Sequence, residues 1–476
     1  MENKKAILII LLVIILIGGG YFTIISLSAF QTQKTQALMK PVTLTYWRVY
    51  DGADVMAPLI EAYNRIHPFV TISYKKLRYD EYEQELLEAF ATDKGPDIFS
   101  IHNTWVGKYK TKEFITPLPS QITMAYPTIQ GTIKKQIVPE LRTRKSLNSR
   151  DIENTFVDAV YDDVVYKETD KETSKVRYDI YGLPLFVDTL AMYYNRDLFN
   201  NAGITAPSQY WNKKFQQDVK KLTKQDARGN IIQSGVALGG SDNIDRYSDI
   251  LAALMMQNGT EMIDEFGRVK FNTIPEDIQD RSYNPGLGAV QFYTDFANPG
   301  KEVYSWNDEM DNSIDLFADG KVAMIFAYSY QLPTIKAKNP KLDFSLSKLP
   351  QIEGNDKSVN LANYWVEVVS NKSKEKDVAW DFVQFITKAN QAKLYIEKTK
   401  KPTALRELVN EQIDDLDIGI FADQVLTARS WYRGNNATAA EGYIGDLVDS
   451  VNYGQDDLEG IINLAAKKIQ QTINEK

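Results

Sequence analysis

The chain has no cysteine and only two histidines, His67 and His102, in 476 residues. The first absence removes disulfides, thiolate metal sites, cysteine nucleophiles and lipid attachment at a thiol. The second excludes His-rich zinc sites and most Ser-His-Asp triads by counting alone. A basic surplus is missing too. Fifty-five Lys and Arg stand against 63 Asp and Glu, for a net charge of −8 and a pI of about 5.2. A phosphate backbone is therefore not an expected partner, and a polyanionic ligand is disfavoured on the same ground. Low-complexity tracts are absent. What the chain does have is aromatic surface, with 27 Tyr, 20 Phe and 7 Trp. A chain of this length exceeds one ordinary core, so two or more lobes are expected.

Charge is also missing between Ala6 and Gln33, where the first dozen residues are almost purely aliphatic. A bilayer core needs roughly 20 apolar residues as a helix, which this run supplies. Lys4 and Lys5 precede it and place the N-terminus in the cytoplasm. A cleaved signal peptide is the rival reading, with Ser26-Leu27-Ser28 as its small-residue cleavage site. The run is long for a signal peptide, so the expectation is a membrane anchor over residues 1–33 and a short stalk over 34–40. That makes a single-pass protein whose remaining residues lie outside the cell or in a periplasm.

After the stalk, "VTLTYWRV" (Val42 to Val49) alternates like a strand. A helix follows, capped by Asp54, with Met56, Leu59, Ile60, Tyr63 and Ile66 at helical spacing. "FVTISYKKL" returns to strand, Asp80 and Glu83 form a capping-box pattern for a helix to about Ala91, and "DIFSI" is a third strand. This β-α-β-α-β order predicts a parallel sheet with right-handed crossovers. Ligands of such sheets bind beyond the carboxyl ends of the strands. Tyr50-Asp51, Tyr79-Asp80 and His102-Asn103-Thr104-Trp105 stand at those three ends, each pairing an aromatic with polar groups.

Leu141 to Asp179 is charge-dense and reads as a surface insertion, with a hairpin as its candidate form and no assigned chemistry. Beyond it the pattern predicts a strand at Leu190 to Tyr194, a helix from about Ser208 to Leu222, and a turn at Asp226 to Asn230. Trp211 in that helix and Trp380 in an amphipathic helix, Glu375 to Thr387, read as core, while Trp306 fits core or site equally.

Four blocks now stand out: "GLPLFVDTLAMYYNRDLFNNAGI", "KLTKQDARGN", "FADGKVAMIFAYSYQLPTI", and "LPQIEG" followed by "NYWVEVVSNKSKEKDVAWDFVQFIT". Their order and spacing resemble the extracellular solute-binding proteins of sugar ABC transporters, the maltodextrin-binding type (solute-binding family 1), from about Thr43 to the C-terminus. The resemblance implies a two-lobed periplasmic-binding-protein-like α/β fold with crossing hinge strands. One lobe would comprise residues 41–183 and 366–415, the other 184–365 and 416–476. It also implies first-lobe ligand contacts at Tyr50, Asp51, His102, Asn103 and Trp105 and a first crossing at Val187-Asp188 with a ligand carboxylate at Asp188. Tyr328 and Tyr330 match a loop after "GKVAM", and Trp431 a C-terminal aromatic. Bulky Asn363-Tyr364-Trp365 replace the family's small residues before the second crossing.

A pyranose offers an apolar C–H face and a rim of hydroxyls. Rings at Tyr50, Trp105, Tyr330, Trp365 and Trp431 suit the face, and Asp51, Asn103, Asp188 and Asn363 suit the rim. The expectation is a monomeric receptor that captures a neutral carbohydrate and delivers it to ABC permease subunits. No catalytic residue, metal or cofactor is expected. An anchored adhesin or sensor shares the same pocket. A glycoside-active enzyme would need a carboxylate pair, which 63 acidic residues make unavoidable, but nothing in the sequence marks a general acid.

Overall fold

The computed structural model describes residues 40–130, 136–169, 174–455 and 457–475. The expected anchor, and the stalk up to residue 39, lie outside them. Among the described residues no helix is long and apolar enough to cross a membrane.

The alternating stretch forms the strand Val42–Val49, which buries Leu44, Tyr46 and Arg48 on one face. It pairs in parallel with Val70–Leu77 on one side and Ile98–His102 on the other, as the β-α-β-α-β reading requires. The crossover helices are Ala53–Ile66 and Tyr79–Ala91, but their expected caps differ. Gly52 and Arg78 hold the N-cap positions without side-chain bonds, and Asp54 and Asp80 lie inside the first turn. There a carboxylate favours the positive end of the helix dipole instead of bonding to it. The sheet then takes in Trp365–Val369, antiparallel to Ile98–His102, and ends on Leu183–Pro184.

A second sheet centres on Ala191–Asn195, with Met324–Ala327 and Phe344–Ser347 antiparallel on either side. Between the two sheets lies a narrow ribbon in which Asn360–Asn363 pairs with Asp188–Thr189 and with Ala428–Arg429. The buried apolar side chains fall into two clusters. One draws on residues 44–187 and 362–409 with Val425 and Ala428; the other draws on residues 190–361, Phe421 and 431–469. The chain thus passes from one lobe to the other along the ribbon, and each lobe is built from separated segments.

Several expectations change. The helix expected from Ser208 runs Lys213–Leu222, because Asn212 caps it through a bond from Phe215 N. Trp211 therefore precedes that helix, packing on Phe215, Phe292 and Phe326. The charge-dense stretch does hold a hairpin, but it is not a mere surface insertion. It contains the second strand of the hairpin Gln121–Gln130/Gln136–Lys145, two short helices, and the hairpin Val165–Thr169/Val176–Ile180. Ile152, Val160 and Val164 from its helices, and Phe156 between them, sit in the first core. Trp306 and Trp380 are both fully buried.

Candidate functional site

A cleft of about 820 Å³ opens between the lobes. One wall carries Tyr50, Tyr79 and His102, from the carboxyl ends of the three parallel strands. The opposite wall carries Asp245, Arg246 and the segment Ser329 to Thr334, and the ribbon supplies Asp188 and Asn363. Volume and composition lie in the range of small-molecule sites, which combine apolar surface with a few placed polar groups.

The aromatic wall is built around Trp365. Its indole stands edge-on to Tyr50 at 5.8 Å, Tyr79 at 6.2 Å and His102 at 5.8 Å, and it also meets Trp105 and Tyr82. Tyr50 and Tyr79 stack at 5.7 Å, and both rings remain half exposed. Tyr50 has φ 65°, at the centre of a turn in which Asp51 N donates to Val49 O at 2.7 Å. A bulky residue in the left-handed region costs on the order of 1–3 kcal/mol, a strain that clusters at binding sites. Facing these rings, Tyr330 is half exposed and stacks on buried Tyr328 at 5.8 Å.

The polar groups are ordered by each other. His102 Nε2 lies 3.3 Å from Asn363 Oδ1, and its Nδ1 lies 2.8 Å from the Thr104 hydroxyl. Since Oδ1 only accepts, Nε2 carries the proton and Nδ1 accepts. Burial, and then the charge of Arg246, lower the imidazole pKa to about 4, so the ring is neutral at pH 7. Asp188 accepts from Ser329 Oγ at 2.7 Å, Ser329 N at 3.2 Å and Thr189 N at 2.9 Å. Burial raises its pKa to about 6 against the pull of those bonds. Asp188 therefore fastens the turn that presents Tyr330 to the first crossing segment.

Of the residues expected at the site, Tyr50, His102, Asp188, Tyr330, Asn363 and Trp365 come together around the cleft. The other five lie behind it. Asp51 is buried in an ion cluster with Arg48 and Lys401 and accepts from the Tyr395 hydroxyl. Asn103 donates to Asp163 and Ser430, tying the first lobe to the last crossing. Trp105 is half buried, stacks on Tyr109 and backs Trp365. Tyr328 OH and Trp431 Nε1 both donate to Asp249, at 2.8 and 3.1 Å. Asp249 in turn accepts from Arg246 Nε at 2.8 Å, so these two aromatics position a cation instead of facing the cavity.

Arg246 had no motif to announce it. It caps the helix Tyr247–Gln257 with φ 57°, a second left-handed side chain across the cleft from Tyr50. Lys336, Lys400 and Lys401 also line the cavity unannounced. Each is ion-paired, with Asp417, Asp415 and Asp51 respectively. Among the described residues no cluster of His, Asp and Glu is arranged to hold a metal ion.

Two α/β lobes around a cleft, joined by paired crossing segments, define a ligand-capturing binding protein. The chain belongs to the bacterial extracellular solute-binding protein family, whose model matches residues 48–393. It is similar to the maltodextrin-binding protein MdxE of Bacillus subtilis, 25% identical over 64% of this chain and 70% of that protein. It is also similar to the galactooligosaccharide-binding protein of the same organism, 22% identical over 62% of each chain. Among solved structures, the fold matches the cyclic alpha-maltosyl-1,6-maltose binding protein from Arthrobacter globiformis. That match has a TM-score of 0.69 and 15% identity, over 92% of this chain and 100% of that one. An ABC substrate-binding protein from Listeria monocytogenes in complex with cycloalternan matches at a TM-score of 0.64 and 15% identity, with the same coverage.

Proposed function

We propose that this protein is a membrane-anchored receptor that closes its two lobes on a neutral oligosaccharide and delivers it to an ABC permease. The observation that carries the reading is the make-up of the cleft. Exposed ring faces at Tyr50, Tyr79 and Tyr330 alternate with hydrogen-bonding groups at His102, Asn363 and Arg246. Rings bury the C–H face of a pyranose, and the polar set meets its hydroxyls. Among the described residues every Lys and Arg lining the cleft already has a carboxylate partner, which leaves no free cation there to call for an anionic ligand. Relatives named for maltodextrin and galactooligosaccharide binding support the same class. The uncharged run from Ala6 to Gln33, with Lys4 and Lys5 before it, supports the anchor and the outward-facing domain. Binding without turnover is the expected activity.

The test is mass spectrometry of small molecules retained by the full chain purified in detergent, followed by calorimetry with maltotetraose, a galactooligosaccharide and mannotriose. A neutral oligosaccharide should be retained, and at least one of the three should bind without being hydrolysed. Retention of a peptide or a phosphate compound in its place would sink the reading.

A further inference from the structure

Arg246, which faces the cleft, is held by two carboxylates. Its Nε donates to Asp249 Oδ2 at 2.8 Å, and its Nη2 and Nη1 reach the two Glu441 oxygens at 3.2 and 3.5 Å. Nη2 also lies 2.8 Å from Asp249 Oδ2, so four of the five N–H groups of the guanidinium face carboxylates and one, on Nη1, remains for the cavity. Asp249 is fixed in turn by Tyr328 and Trp431, and the Glu441 backbone carbonyl accepts from the Tyr247 hydroxyl at 2.9 Å. Four separate segments of the second lobe thus converge on one side chain, which sits on a left-handed backbone. Such investment in a fork of donors is that of a recognition group.

Its charge balance is equally specific. One guanidinium is set against two carboxylates, and the neutral imidazole of His102 and the rings of Tyr50 and Tyr79 face it from the other lobe. A ligand hydroxyl or ring oxygen takes the free N–H at no charge cost. A uronate or phosphate would take the same N–H but meet a net negative charge behind it, and among the described residues every lysine lining the cleft is already paired. We infer that Arg246 is the residue by which the second lobe reads ligand oxygens, and that Glu441, acting through it, is a charge filter confining the site to neutral glycans. The inference rests on the carbohydrate reading above. Burial pushes the Glu441 carboxyl upward and Arg246 pulls it back, so the filter is read across a range of pH and should strengthen as pH rises.

The test uses the full chain in detergent and pairs of glycans: neutral oligosaccharides, each beside a counterpart carrying a uronate or a phosphate. The native protein should bind neutral members on the order of tenfold more tightly than their acidic counterparts, the scale of one uncompensated charge across a partly solvated site. Glu441→Gln should narrow that gap, whatever it costs in neutral affinity, since the same carboxylate also holds the guanidinium. Arg246→Lys, which retains the charge but loses the fork, should weaken the neutral members. Raising ionic strength should narrow the gap for the native protein, a readout that holds even if Glu441→Gln melts early. Acidic glycans bound as well as neutral ones, or a gap insensitive to both Glu441→Gln and salt, would overturn the filter while leaving a carbohydrate receptor standing. A native protein that binds no glycan would bring down the carbohydrate reading and the filter with it.

Discussion

Trp365 and Trp105 touch each other, yet truncating them should have different consequences. Trp365 is 6% exposed and meets five neighbouring rings, so Trp365→Ala removes the support of the whole aromatic wall. We expect about 3–5 kcal/mol of lost folding stability and a large loss of affinity. Trp105 lies one layer back and half buried, so Trp105→Ala should cost about 1–3 kcal/mol of stability and move affinity only through Trp365. Melting curves read beside calorimetry separate the two. A Trp105→Ala protein with native melting and abolished binding would put that indole against the ligand after all. Asp188 gives a pH signature. Its pKa is raised by burial from 3.8 to about 6, so the folded state favours the protonated acid. Stability from this group is complete below about pH 4 and is lost as pH rises through 6, by up to roughly 3 kcal/mol. Asp188→Asn lacks that dependence. The melting temperature of the native protein should therefore gain on that of the variant as pH falls from 7 to 5, and the opposite slope would contradict a buried acid.

Elements show what local sequence can and cannot convey. The strand Val42–Val49 and its two crossovers were legible because period-2 and period-3.6 patterns are carried by neighbouring residues. So was the line of aromatics at the strand ends, since topology fixes which end faces a ligand. Which ring faces the cavity was not legible. Tyr328 and Tyr330 are two residues apart, but the chain turns at Ser329 into the helix Gln331–Lys338, burying one and exposing the other. Asp51 was misplaced for a different reason: its partner Lys401 is 350 residues away, beyond any local pattern. Arg246 was missed because a left-handed arginine at a helix start has no signature of its own. Strand packing also yields a prediction at Gly182, where an added Cβ would come within 2.3 Å of Val366 Cγ1. Gly182→Ala should wedge the sheet edge from the second crossing strand and cost about 1–3 kcal/mol, measured by thermal melting. Native melting would mean that the edge shifts freely.

For the whole molecule, closure and folding both follow from the ribbon. Few segments join the lobes and the cleft lies between them, so ligand should draw them together by rotation about the crossings. Small-angle scattering of residues 40–476 should give a smaller radius of gyration at saturation; an unchanged profile would argue against a clamp. The ribbon has a second consequence, in time instead of space. The first core needs residues from Leu44 to Ala428, and the second needs residues from Leu190 to Ile469. Neither can close while the chain is still emerging from a ribosome, because the last segment of each arrives near the end of synthesis. For any chain exported through a channel that passes only extended polypeptide, such wiring would keep it threadable until almost all of it has been made. A chain ending at residue 361 should accordingly show no cooperative melting, and a sharp transition in that fragment would refute the delay.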